Sequence, residues 1–231
     1  MPPQQTDAVS QHQTIVKICG LSSAVTLDAA LEARADMVGF VFFEPSPRNL
    51  SLAQARSLAT RVRGRAQKVA LTVNAEDAKL EAIVDALAPD ILQLHGKESP
   101  ERVRAIRARF GIPIMKAIGV GSRPDLQKAP AYAEAADTLL FDAKPAPEAV
   151  LPGGNGRAFD WSILSDFAAE RPWMLSGGLD AGNVGEALAA TGAGGVDVSS
   201  GVESAPGVKD PARIAAFVAA VRALSPAGGS R

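Results

Sequence analysis

The chain has little sulfur, little imidazole and almost no net charge. One cysteine in 231 residues, Cys19, excludes an internal disulfide and a thiolate metal cluster, and it suits a reducing compartment. Of the two histidines, His12 lies in a polar N-terminal stretch and His95 far from it, so no histidine-rich metal site can be assembled. Lysine and arginine total 24 against 25 acidic residues, a net charge of −1. That leaves no basic field to hold nucleic acid or an anionic membrane. No apolar run approaches the roughly 18 residues a membrane span needs. The opening M-P-P-Q-Q-T-D-A has neither the basic start nor the apolar core of a secretory signal. These absences predict a soluble cytoplasmic protein with no nucleic-acid or membrane partner and no metal.

What is present is an ordinary globular composition, 47% hydrophobic and 21% charged. Residues 1–13 and 225–231 (S-P-A-G-G-S-R) read as flexible tails, leaving 14–224 as one domain. The organising stretch is T-I-V-K-I-C-G-L (14–21), a β-branched run closed by glycine that reads as a strand. Side chains alternate along a strand, so Lys17 and Cys19 share one face and Val16 and Ile18 the other. Further strands are expected at 37–43, 68–74, 91–96, 113–120, 138–144, 173–179 and 195–201. Helices are expected between them, among them 123–133 and 160–170. Eight strands begin roughly every 26 residues, the rhythm of a (β/α)₈ TIM barrel near its minimum size. An open doubly wound sheet competes, but C-G-L-S-S-A after the first strand does not fit its G-x-G-x-x-G turn.

A barrel puts function at the carboxyl ends of its strands. Glycine-rich turns S-G-G-L-D-A-G-N (176–183) and V-S-S-G-V-E (198–203) follow the last two strands. They offer Gly177, Gly178, Asn183, Ser200 and Gly201 as a phosphate site, because glycine lets backbone N–H groups approach an anion. Asp142 ends the apolar run T-L-L-F, where a carboxylate is costly unless wet or paired; a helix cap or a bridge to Lys144 is the plain alternative. The first and sixth strands lie across a barrel, so Cys19 and Asp142 could flank a substrate and divide proton removal and delivery. An unperturbed thiol has a pKa of about 8.5, so a nearby cation should help, and Lys17 is the candidate. Lys17 in turn needs a counter-charge, for which Asp197 on the adjoining eighth strand is expected. Lys17 as a Schiff-base nucleophile is the alternative. Arg48 could clamp a carboxylate with its planar fork. Gln93 and His95 share a face and are placed in the pocket, though His95 could equally be an interior histidine. Residues 146–157, rich in proline and glycine, read as a mobile loop.

Taken in order, the motifs V-K-I-C-G (16–20), F-x-x-x-S-P-R (42–48), L-Q-L-H-G (92–96), L-L-F-D (139–142), G-G-N-G-x-x-F-D-W (153–161), L-S-G-G-L-x-x-x-N-V (175–184) and G-V-D-V-S-S-G-V-E (195–203) resemble the phosphoribosylanthranilate isomerases of tryptophan biosynthesis. Asn155 stands where that family often has threonine, and Ala143 where a small hydroxyl residue is frequent. The resemblance implies an Amadori rearrangement of N-(5′-phosphoribosyl)anthranilate, with Asp142 as general acid, Cys19 as general base, Arg48 on the anthranilate carboxylate and the glycine loops on the phosphate. It implies a phosphosugar substrate and no cofactor, because the substrate's own nitrogen supplies the electron sink. Other phosphosugar barrels and a binding module without turnover are the competing readings. Monomer and homodimer are both compatible with a barrel of this size.

Overall fold

A computed structural model of the chain describes residues 13–144, 153, 159–168 and 170–224. The expected tails, apart from residue 13, and the expected mobile loop, apart from Gly153, lie outside the described residues. The eight strands are β1 (Ile15–Cys19), β2 (Met37–Phe42), β3 (Gln67–Thr72), β4 (Ile91–Leu94), β5 (Ile114–Val120), β6 (Thr138–Ala143), β7 (Trp173–Leu175) and β8 (Gly195–Val198). They form a closed parallel barrel in sequence order, with β8 pairing back onto β1. The helices are α1 (Ala24–Glu32), α2 (Leu52–Val62), α3 (Asp77–Leu87), α4 (Pro100–Phe110), α5 (Ala129–Ala135), α6 (Val184–Thr191) and α7 (Pro211–Leu224). None of them is long and apolar enough to cross a membrane.

Period-two alternation divides each strand between two cores. Outward residues such as Val16, Ile18, Val38, Phe40, Leu92, Ile118 and Phe141 pack beneath the helices, all nearly or fully buried. A buried aliphatic or aromatic side chain contributes about 1.5–3 kcal/mol, so this layer is the main source of stability. The inner floor is a separate cluster of Met37, Val69, Ile91, Met115, Ala117, Leu140 and Met174. It seals the amino-terminal side and confines polar inward residues to the other mouth. Helix starts are set by serines: Ser23 accepts from Thr26 N, Ser51 forms a reciprocal capping box with Gln54, and Ser99 precedes Pro100 at the first turn of α4.

Two expected helices are corrected. The stretch 123–133 is two pieces, a 3₁₀ turn (Arg123–Lys128) and then α5. Pro130 lacks an N–H and its ring would strike a carbonyl one turn back, so the helix must restart just before it. The stretch 160–170 carries only a 3₁₀ turn at Trp161–Leu164 among its described residues. Phe167 instead packs edge-on against Phe141 and Trp173, with ring centroids 4.9 and 6.1 Å away, and aromatic packing overrides local helix preference.

After β8 the chain adds a small antiparallel pair, β9 (Glu203–Ala205) and β10 (Val208–Lys209), turned at Gly207 with φ of +81°. This hairpin returns two charged side chains to the barrel mouth.

Candidate active site

The site is built from β1 outward. Lys17 is fully buried, and its Nζ donates to Asp197 Oδ1 at 2.8 Å, across the β1–β8 register in which the two residues are direct partners. The expected pair is therefore present. Burial alone would lower the pKa of Lys17, but Asp197 and the Cys19 sulfur outweigh it and the net direction is up. An ammonium held charged in this way is a poor Schiff-base nucleophile, which needs a free amine.

Cys19 is buried one residue pair further along the same face. Its neighbour across the β1–β2 register is Gly39, where a side chain carbon would lie 2.9 Å from the Cys19 sulfur and 3.2 Å from Lys17 Nζ. Glycine at 39 is what leaves room for both groups. The expectation that Lys17 would ease ionisation of the thiol holds for that pair alone. Burial pushes the Cys19 pKa up, Asp197 adds to the rise, and Lys17 and Lys209 only partly offset them. Without a further positive charge the group stays a thiol at neutral pH.

Asp142 lies across the barrel, 4% exposed at the end of β6. Its Oδ1 accepts from the backbone N–H of Ala143 at 2.9 Å, and its Oδ2 lies 3.2 Å from His95 Nε2. The alternative partner is taken elsewhere, because Lys144 Nζ reaches Asp125 at 2.7 Å. Gln93 is fully buried beneath His95, with Nε2 3.1 Å from His95 Nδ1. The three side chains thus form a row, Gln93–His95–Asp142, buried at both ends and partly exposed at His95. The turn after β4 that carries His95 is anchored from outside the barrel, where Lys116 Nζ donates to Leu94 O, Gly96 O and Glu98 Oε2 at 2.8–3.0 Å.

The two glycine turns close the rest of the mouth. Gly177 and Gly178 have φ of +94° and +68°, in the left-handed region that favours glycine. At Gly177 a side chain carbon would lie 2.6 Å from Ala143 N and 3.1 Å from Asp142 Oδ1, so this turn also fixes the space around the acid. Gly201 packs against the Leu179 backbone, which brings the two turns into contact. Ser200 and Gly201 form a 3₁₀ turn. The Asn183 amide is used within its own turn, donating to Gly178 O at 2.8 Å while its carbonyl accepts from Asp180 N.

Arg48 reaches this mouth over Gly20, where a side chain carbon would lie 2.6 Å from Arg48 Cδ. The guanidinium fork faces a protein carboxylate: Nε and Nη2 donate to Glu203 Oε1 and Oε2 at 2.7 and 2.8 Å. Glu203 also accepts from Lys209 Nζ at 2.6 Å, and Lys209 donates to Ser199 O and Oγ. Both acid and ammonium are almost fully buried. Burial opposes the charge on Glu203, yet Arg48 and Lys209 hold its pKa below the ordinary value. Sequence reasoning gave neither Glu203 nor Lys209 a role. Glu203 was visible only as the last letter of a motif, and β10 is too short for any periodic signal. Among the described residues no three His, Cys, Asp or Glu side chains are arranged to hold a metal ion.

A family model described as N-(5′-phosphoribosyl)anthranilate (PRA) isomerase matches residues 16–220. The chain belongs to this family. It is 61% identical over 209 residues to the N-(5′-phosphoribosyl)anthranilate isomerase of Rhodopseudomonas palustris strain HaA2, covering 90% of this chain and 96% of the relative. Among solved structures it is similar to the isomerase from Thermotoga maritima, at 36% identity and a TM-score of 0.82 over 91% of this chain and all of that one. A phosphoribosyl anthranilate isomerase structure in complex with reduced 1-(o-carboxyphenylamino)-1-deoxyribulose 5-phosphate is similar at 34% identity and a TM-score of 0.78, with the same coverage. The single-domain barrel read from strand rhythm is the architecture observed, and the family suggested by the motifs is the family matched.

Proposed function

We propose that this chain catalyses the Amadori rearrangement of N-(5′-phosphoribosyl)anthranilate in tryptophan biosynthesis, with Asp142 as general acid and Cys19 as general base. The observation that carries the reading is one buried carboxyl and the only thiol of the chain at one mouth, on strands across the barrel, beside two touching glycine turns. Asp142 protonates the ribose ring oxygen while the nitrogen lone pair expels it, breaking the C1′–O4′ bond and forming a C1′=N iminium. With the iminium beside it the Cys19 thiol releases its proton to solvent. The thiolate then removes the C2′ proton and becomes a thiol again, the C2′–H electrons form the C1′=C2′ bond, and the nitrogen regains its lone pair. The resulting enol becomes the ketone by losing its hydroxyl proton and gaining one at C1′.

The upward shift of the Cys19 pKa is compatible with this order of events. The iminium is a new cation next to the thiol, so it favours the thiolate and acidifies C2′–H at the step where both are needed. Gly177, Gly178, Ser200 and Gly201 offer the phosphate end, with Asn183 bracing the turn. Arg48, which lies over Gly20, holds the anthranilate carboxylate, and Glu203 fixes the plane of its guanidinium. Arg48→Ala is therefore expected to raise KM for the substrate at least 10-fold with a smaller change in kcat, because it removes an anchor rather than a proton carrier. An unchanged KM would place Arg48 outside the substrate site.

The test of the reading is turnover of freshly prepared phosphoribosylanthranilate, followed as loss of its fluorescence. Failure of the folded protein to turn it over would move the assignment to another phosphosugar.

A further inference from the structure

In this reaction each turnover leaves Asp142 short of one proton, and it must be recharged from water through a buried setting. Resting on the proposed function above, we infer that His95, with Gln93 behind it, is a proton relay that recharges Asp142 after each turnover.

The geometry supplies the path. His95 Nε2 is 3.2 Å from Asp142 Oδ2, and the His95 side chain retains 10% exposure where that of Asp142 has 5%. Once Asp142 has given its proton to the ring oxygen, an imidazolium at His95 returns one: the Nε2–H bond breaks, an Oδ2–H bond forms, and His95 regains a proton from water. An imidazole ring can take up a proton on one nitrogen and release one from the other, which an amide cannot.

Such a relay needs a partner on Nδ1 that accepts both states of the ring, and Gln93 has that property. In the observed orientation its NH₂ group faces Nδ1, which suits a neutral ring protonated on Nε2. Its other end, Oε1, is buried with no hydrogen-bond partner among the described residues, an arrangement that leaves the desolvation of the oxygen uncompensated. A half-turn of the amide puts this orphaned oxygen against Nδ1–H and satisfies the imidazolium instead. A glutamine that only packed or bound substrate would not need to serve both ring states.

The discriminating substitution is His95→Gln, whose amide can still donate to Asp142 but cannot carry a proton. We expect kcat to fall by about 10²-fold, the lower end of general acid–base effects, with KM little changed. Added imidazole at fixed pH restores the rate in proportion to its concentration, and so does an amine buffer of different shape. Rescue by imidazole alone would mean that it refills a cavity, and the relay would be overturned. The relay is also overturned if His95→Gln keeps the wild-type rate, or if it loses activity through KM with no rescue by either buffer. Should the glutamine variant not fold, His95→Asn carries the same expectations. Asp142→Asn is run alongside. Loss in that variant without buffer rescue keeps the acid assignment, whereas retained turnover would remove Asp142 itself and the relay with it. Wild-type turnover in the same assay separates failure of the relay from failure of the substrate assignment.

Discussion

Cys19→Ala is expected to lower kcat for phosphoribosylanthranilate by at least 10²–10⁴-fold, the range typical of removing a general base, while KM changes little. No other described side chain beside Cys19 can take its place. Lys17 is pinned as an ammonium by Asp197 despite its burial, while Lys209, whose pKa burial lowers, keeps its Nζ tied to Glu203 and Ser199. Both lower the Cys19 pKa, and each Nζ is already committed to a carboxylate, Asp197 or Glu203. The substitution removes one buried sulfur atom, so the barrel is expected to stay folded, and thermal unfolding of the variant checks this. Cys19→Ser should be as inactive, since the alcohol is far less acidic than the thiol in the same apolar surroundings. Folded Cys19→Ala that turns over at the wild-type rate would require a different base.

Asp142→Asn should cost a comparable 10²–10⁴-fold in kcat, for a different reason. The amide matches the carboxyl in shape and keeps the acceptor for Ala143 N–H, and its NH₂ can donate to His95 Nε2 once the ring carries its proton on Nδ1, facing Gln93 Oε1. Folding and substrate affinity are therefore expected to survive. What is lost is the proton for the ribose ring oxygen, without which the ring does not open and Cys19 has no acidified C2′–H to remove. The two variants separate by substrate: an analogue already opened to the iminium stage should be processed by Asp142→Asn and not by Cys19→Ala. Near-normal turnover of phosphoribosylanthranilate by Asp142→Asn would remove this residue from the mechanism.

The row behind the acid and the cluster behind Arg48 apply the same physical rule at opposite sides of the mouth. A polar group taken out of water must be matched by a partner, and the partner then dictates its direction and charge state. Glu203 and Lys209 do this for Arg48 and the Ser199 turn, and Gln93 and the Ala143 N–H do it for His95 and Asp142.

Much of this was legible in the sequence. Strand–helix alternation specified a parallel barrel, because only a helical crossover returns the chain to add each parallel strand. Alternation within I-V-K-I-C placed Lys17 and Cys19 on one face, and barrel closure made Asp197 the neighbour of Lys17. Asp142 stood out as an acid after four apolar residues. The two glycine turns were evident because left-handed backbone at Gly177 and Gly178 demands a residue without a side chain.

Only the tertiary structure decided the rest. Whether 160–170 would be a helix depended on Phe167 meeting Phe141 and Trp173, which no local pattern contains. The partner of Arg48 lies 155 positions away on a three-residue strand, too short to show a period. The direction of the Cys19 pKa is a balance of burial and Asp197 on β8 against Lys17 on β1 and Lys209 on β10, and the sequence names those charges without their distances. Local chemistry and periodicity determine which residues face the barrel mouth. The contacts among them, and so their charge states, exist only once the barrel has closed and excluded water.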